Sequence, residues 1–132
     1  MEKKAKDVMN SRVEWIFEDA TVYDAIEKII DKRIRSLLVV KNEDLSPSGV
    51  ITIRDIIFKV LYEGLPITKV KVKEIASTPV VTVAPEASVR DVFELMKKYN
   101  IARVFVKNQD KIEGVISFFD LLNFFLIEEA KK

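Results

Sequence analysis

The chain has 132 residues, of which 48% are hydrophobic and 33% charged, enough for one compact domain or two small halves and too apolar to stay disordered. Lysine and arginine total 22 against 21 aspartates and glutamates, a formal charge of +1, so no overall basic field draws the chain to nucleic acid. With neither cysteine nor histidine, it has no disulfide or thiolate nucleophile and lacks the commonest general base and metal ligand.

Residues 4–9 are expected to form one helical turn, followed by a strand over Val13 to Phe17 that carries Trp15. Thr21 and Asp24 have the spacing of a capping box, in which a hydroxyl and an acid three residues on each accept a backbone N–H of the other. The helix behind them places Val22, Ala25, Ile26, Ile29 and Ile30 on one apolar face. Leu37 to Val40 reads as a buried strand, 42–48 as a polar loop, Val50 to Ile53 as a strand after a glycine turn at Gly49, and Asp55 to Glu63 as a helix. Gly64 to Thr68, with Pro66, reads as a linker. The pattern then restarts: a turn at 71–75, a strand over Val80 to Val83, and a second capping box at Ser88 and Asp91. A helix follows with Val92, Phe93, Leu95 and Met96 as its apolar face. The last pieces are a strand over Val104 to Val106, a polar turn at 107–111, and Gly114 leading into a closing helix.

This restart is an internal repeat. Lys4, Lys6, Val13, Ala20, Val22, Asp24, Glu27 and Ile34 all meet identical residues 67 positions later. Gly49-Val50-Ile51-Thr52-Ile53-Arg54-Asp55 returns 65 positions on as Gly114-Val115-Ile116-Ser117-Phe118-Phe119-Asp120. The domain reading is therefore a first repeat at 1–64, a linker at 65–70 and a second repeat at 71–132. Each is a β-α-β-β-α unit of an α/β (α+β) fold, and the two are expected to pack sheet on sheet about a pseudo-twofold axis and share one core. The helices after the two closing motifs are apolar nearly all round, with Ile56, Ile57, Phe58, Val60, Leu61 and Tyr62 in the first and Leu121, Leu122, Phe124, Phe125, Leu126 and Ile127 in the second. Such helices need cover on more than one face, which a small monomer does not supply, so a homodimer is expected. The N-terminus opens on charge without an apolar signal core, and no apolar run reaches the ~18 residues of a membrane span. The expectation is a cytoplasmic protein with no membrane partner.

No catalytic constellation stands out, and Gly49, Gly64 and Gly114 are too dispersed to cradle phosphates. The expectation is no enzyme. Thr52-x-x-Asp55 and Ser117-x-x-Asp120 have two readings. Each is a capping box by pattern, and each also sits where a buried strand meets a helix N-terminus, a place where ligands of α/β sheets gather. A carboxylate there can accept ribose hydroxyls, and Arg54 can donate to phosphate. Asp55→Ala separates the two: a ligand role costs affinity, a capping role costs stability.

The two closing motifs resemble that of the CBS repeat, named after cystathionine β-synthase. Residues 78–89 resemble its opening motif, and 34–40 and 101–106 its central strand, so the similarity covers about residues 4–127. It implies a pair of CBS repeats with two clefts that bind adenosine derivatives, namely AMP, ADP, ATP or S-adenosylmethionine, as regulatory ligands. No cofactor is implied. Carried over by motif, Thr52, Asp55, Ser117 and Asp120 would face phosphate and ribose, Arg103 would reach phosphate, and the strand positions around Val13, Trp15, Val80 and Thr82 would hold adenine. At the Arg103 position the first repeat has Ser36, with Arg35 beside it. At the Arg54 position the second has Phe119, and Glu18 stands where the second has Pro85. The Thr52–Arg54–Asp55 site is accordingly expected to be the better phosphate site. The alternatives are a structural dimerisation module with empty clefts and, disfavoured by charge, a nucleic-acid-binding module.

Overall fold

The computed structural model describes residues 2–132. The chain divides into two compact units that do not follow the repeat boundaries: Glu14–Val80 forms one, and the segment up to Val13 joins Val81–Lys132 in the other. We call them the N-repeat unit and the C-repeat unit.

The N-repeat unit is built from β1 (Trp15–Phe17), α2 (Val22–Lys32), β2 (Ser36–Val40), β3 (Pro47–Thr52), α3 (Ile53–Ile56) and α4 (Val72–Ile75). Helix α1 (Ala5–Val8) belongs to the C-repeat unit, with β4 (Thr82–Val83), α5 (Val89–Tyr99), β5 (Arg103–Asn108), β6 (Lys111–Ser117) and α6 (Phe118–Ala130). Each unit has a three-stranded sheet in sequence order, the first pair parallel and the second antiparallel. The parallel pair needs a crossover, which α2 and α5 supply. Both helices start at the expected hydroxyl caps: Thr21 Oγ1 accepts from the Asp24 N–H, and Ser88 Oγ accepts from the Asp91 N–H.

Each unit holds its own cluster of buried apolar side chains. Ile16, Val22, Ala25, Ile29, Leu37, Val39, Ile51, Ile56 and Val60 close one, and Val83, Val89, Val92, Met96, Val104, Val106, Ile116 and Leu121 the other. Alternation along the strands decides membership, since Leu37 and Val39 share a face that Leu38 and Val40 cannot. Ile30, expected on the core face of α2, is 70% exposed. At about 100° per residue it lies about 80° round the helix from Val22, at the margin of the stripe.

Strands β1 and β4 are shorter than expected. The β5–β6 strands run further than expected and leave a two-residue turn, in which Gln109 takes φ 58°. Helix α3 ends after one turn and continues as a π-helical turn over Ile57–Leu61, closed by Tyr62 N–H to the Ile57 carbonyl at 2.7 Å. Helix α6 is α-helical throughout.

The units owe their boundaries to two short arms. The arm carrying α1 donates from Ala5 N to the Ala87 carbonyl and from Lys6 N to that of Pro85, then pairs Asn10 with Val115 on β6. The arm carrying α4 repeats this 67 residues on: Val72 N to Ala20, Lys73 N to Glu18, and Ser77 paired with Val50 on β3. Each repeat's opening turn is thus docked on the unit that holds the other repeat's sheet. Charges clamp both arms. Glu86 accepts from Lys4 at 2.8 Å and lies 2.9 Å from Lys6, and these two ammonium groups pull its carboxyl down to about 2. Lys73 lies 2.7 Å from Asp19 and lowers its pKa.

The arms also explain the two glycines, which are strand residues and not turns. A Cβ on Gly49 would stand 3.0 Å from the Ala76 Cβ and 3.1 Å from the Ser77 carbonyl oxygen, and one on Gly114 2.5 Å from the Met9 sulfur. Close approach of the arm excludes a side chain at both positions.

Candidate functional site

In each unit the strand register gathers the sequence-predicted residues onto the sheet face away from that unit's core. In the N-repeat unit Ile16 pairs with Val39 on the core face, so Trp15, which pairs with Leu38, lies on the other. Leu38 faces Val50 and Ser36 faces Thr52, so Trp15 and Thr52 share this face. Trp15 is 38% exposed, packs edge-on against Phe17 at 5.0 Å between ring centroids, and carries the Lys28 ammonium over its ring. An exposed indole on a strand is a ready surface for a planar base.

Arg35 precedes β2 and gives its carbonyl to the Ile53 N–H. The position facing Thr52 belongs to Ser36, and Arg35 lies one residue before the strand. Arg54 is exposed, with its guanidinium 4.9 Å from the centre of the Phe58 ring one turn on. Val80 is half-buried and lies outside any strand.

Asp55 is the one buried charged side chain among the described residues, 6% exposed. Its Oδ2 accepts from Thr52 N at 2.9 Å and Thr52 Oγ1 at 3.0 Å, and its N–H donates to that same hydroxyl at 3.1 Å. Its Oδ1 accepts from Ser77 Oγ at 2.9 Å and lies 2.9 Å from Lys59 Nζ. Lys59 also donates to the Ile75 carbonyl at 2.9 Å, so one ammonium joins the helix to the α4 arm. The capping box is real, and the carboxylate is committed on both oxygens. Sequence reasoning missed Ser77 and Lys59. The i,i+4 spacing of Asp55 and Lys59 was a visible signal, whereas Ser77 comes from 22 residues away with no local pattern.

The C-repeat unit has the same frame with different contents. Val83, Val104, Val106 and Ile116 take the core face, leaving Thr82, Phe105, Arg103 and Ser117 on the other. Arg103 and Ser117 are direct cross-strand partners, with side chains about 5 Å apart at the Cβ atoms for such a pair. Asp120 caps α6 as Asp55 caps α3: its Oδ2 accepts from Ser117 N at 2.8 Å and Ser117 Oγ at 2.9 Å. Its Oδ1 takes no hydrogen bond from the described residues of its unit, and the side chain is half-buried instead of buried. Val13 is half-buried on the arm, outside a strand, and Phe119 at the Arg54 position is exposed. The C-repeat unit therefore combines a guanidinium, a hydroxyl, a partly uncommitted carboxylate and Thr82 on one face.

A shallow groove along α2, lined by Tyr23, Ile26, Glu27, Ile30 and Ile67, contains none of the residues singled out from the sequence. Among the described residues no group of His, Cys, Asp or Glu is arranged to hold a metal, and no helix is long and apolar enough to cross a membrane.

Comparison with known proteins fits this frame. The CBS domain family matches residues 5–62 and 72–127. An uncharacterized protein of Methanocaldococcus jannaschii is 37% identical over 105 residues; the match covers 79% of this chain, which spans just over half, 56%, of that relative's length. A hexameric CBS-CP12 protein from bloom-forming cyanobacteria is 33% identical with a TM-score of 0.82, over 91% of this chain and 69% of that one. A putative signal-transduction protein with CBS domains from Burkholderia ambifaria is 26% identical with a TM-score of 0.86, over 95% of both chains. Two matched repeats, two β-α-β-β-α frames and two hydroxyl-x-x-Asp junctions have one common explanation: this chain is a pair of CBS repeats and belongs to the CBS domain family.

Proposed function

We propose that the chain is a regulatory module that senses an adenosine derivative, one of AMP, ADP, ATP or S-adenosylmethionine, with no catalysis of its own. The observation that carries this reading is the C-repeat face. There the register sets Arg103 across from Ser117, and Asp120 at the N-terminus of α6 keeps one carboxylate oxygen outside its capping box. A ribose diol is a pair of donors suited to that oxygen, and a phosphate suits the guanidinium, the hydroxyl and the α6 N-terminus. Thr82, two strands from Ser117 on the same face, sits where a base would extend. Ligand binding would then bias one conformation of the module, which a partner protein reads.

The module is proposed to act as a homodimer. Helix α6 exposes Phe118, Phe119, Leu122, Phe125, Leu126 and Ile127, and the turn after α3 exposes Ile57, Phe58, Leu61 and Tyr62, large apolar side chains that self-association would cover. The cyanobacterial CBS-CP12 relative is hexameric, which supports a self-associating reading.

The committed Asp55 favours a second reading, in which the N-repeat unit is a structural scaffold only. A calorimetric titration with AMP, ATP, S-adenosylmethionine and a short RNA tests both. Binding of one adenosine ligand, lost in Asp120→Ala and in Arg103→Ala with the melting temperature held within a few degrees, supports sensing. Heat from none of the adenosine ligands leaves the scaffold reading, and heat from RNA alone overturns both.

A further inference from the structure

We infer that Lys59 and Ser77 form an internal gate on the N-repeat site, occupying the Asp55 carboxylate in the place a ligand's hydroxyls would take. The inference rests on the adenosine reading above and assigns its regulation within one unit. An ionised carboxylate offers about four acceptor positions, two per oxygen. At Asp55 all four are filled from inside the unit: Thr52 N and Oγ1 on Oδ2, Ser77 Oγ and Lys59 Nζ on Oδ1. A diol approaching from the Thr52 face finds no vacant acceptor, so it binds only by displacing the Oδ1 pair.

The equivalent positions in the C-repeat unit show that the gate is specific to one site. Ser77 corresponds, 67 residues earlier, to Asn10, whose Oδ1 instead accepts from the Arg12 N–H at 2.9 Å. Lys59 corresponds, 65 residues later, to Phe124, which packs against the core of its unit. Asp120 is thereby left with Oδ1 outside its capping box. Two junctions with the same motif are thus set differently, one closed by its own side chains and one open.

The gate is also connected to the fold. Lys59 stands in the π-helical turn and Ser77 on the α4 arm, whose backbone pairs with Val50. Opening Asp55 therefore loosens the arm from β3 and α3, and any ligand that binds there would release that contact. A π-helical turn inserted beside a polar cluster, where the other repeat has plain α-helix, is a common mark of a functional position. Closure lowers the apparent affinity by the fraction of molecules that are open.

Trp15 is the only tryptophan and lies on the same sheet face as Thr52, so a ligand bound at the N-repeat site should change its emission. The test titrates AMP, ATP and S-adenosylmethionine into wild type, Ser77→Ala/Lys59→Met, and that double variant carrying Asp120→Ala. The expected result is one equivalent bound per wild-type chain without a change in Trp15 emission. The double variant should bind a second equivalent that changes Trp15 emission, with affinity raised about tenfold or more, and should keep that equivalent when Asp120 is lost. Stoichiometry and Trp15 response unchanged from wild type would overturn the gate while leaving the adenosine reading intact. So would two equivalents on wild type with no gain in the variant. If neither protein binds any probe, both fall together; if only the double variant binds, the gate stands and the C-repeat site does not. Should the double variant fail to fold, Ser77→Ala alone carries the same test with a smaller gain.

Discussion

Asp55→Ala and Asp120→Ala remove the same side chain from the same capping box, so their difference isolates what surrounds Asp55. Loss of a capping box costs about 1 kcal/mol, and that share is common to both. Asp120→Ala forfeits little else, because among the described residues of its unit none donates to Oδ1. Asp55→Ala also removes the Ser77 bond and the Lys59 pair. A hydrogen bond to a charged group contributes about 1.5–3 kcal/mol, and the Ser77 bond belongs near the lower limit because its residue is exposed. The Lys59 side chain is 48% exposed, so screening holds its pair to about 0–1 kcal/mol. The expected totals are about 3 kcal/mol for Asp55→Ala and about 1 kcal/mol for Asp120→Ala. Urea denaturation at pH 7, followed by far-ultraviolet circular dichroism, reads this directly. With a slope of about 2 kcal/mol per molar, the midpoints should differ by about 1 M. Equal midpoints would refute the reasoning, since they would mean that the Ser77 and Lys59 contacts contribute nothing.

Gly49→Ala drives a methyl group against the Ala76 Cβ and the Ser77 carbonyl and should cost about 1–3 kcal/mol, read as a lower urea midpoint. Gly114→Ala should cost a similar amount but recover in part with Met9→Ala, which removes the sulfur 2.5 Å away; no recovery would show that the arm backbone sets the limit. The Glu86 carboxyl is held at about 2, first by the hydrogen bond from Lys4 and then by that from Lys6, against an ordinary 4.5. A depressed acid contributes above its unfolded value and loses that contribution as pH falls toward the folded one. Protection of the Ala5 and Lys6 amides, taken relative to the intrinsic exchange rate at each pH, should therefore fall between about pH 4.5 and 2 in wild type and be already low and flat in Glu86→Gln. Leu122→Glu/Leu126→Glu, at positions 72% and 70% exposed, should convert a dimer to a monomer in sedimentation with little change in melting temperature. A wild type that sediments as a monomer would refute that face as the interface.

The lower affinity expected of the N-repeat site and the docking of the arms have a common source. Nature of the residue at one register position, Ser36 against Arg103, and at one helix position, Lys59 against Phe124, turns two copies of a motif into unlike sites. Repetition supplies the frame, and substitutions within it supply the asymmetry.

The sequence by itself determined the repeat, the order of elements, the hydroxyl caps at Thr21, Thr52, Ser88 and Ser117, and most of the apolar stripes of α2 and α5. All of these are written in spacings of two to four residues, which strands and helices impose locally. The edge residue Ile30 shows the limit of that code, since a position about 80° round the helix from Val22 is settled by what packs beside it. Tertiary structure alone decided the rest. The exchange of opening arms, the meaning of Gly49 and Gly114, the facing of Ser36 instead of Arg35 toward Thr52, and the four bonds on Asp55 all depend on which distant segment lies alongside. Ser77 reaches Asp55 across 22 residues and Asn10 reaches Val115 from the other end of the chain, and contacts of that span leave no local periodicity to read.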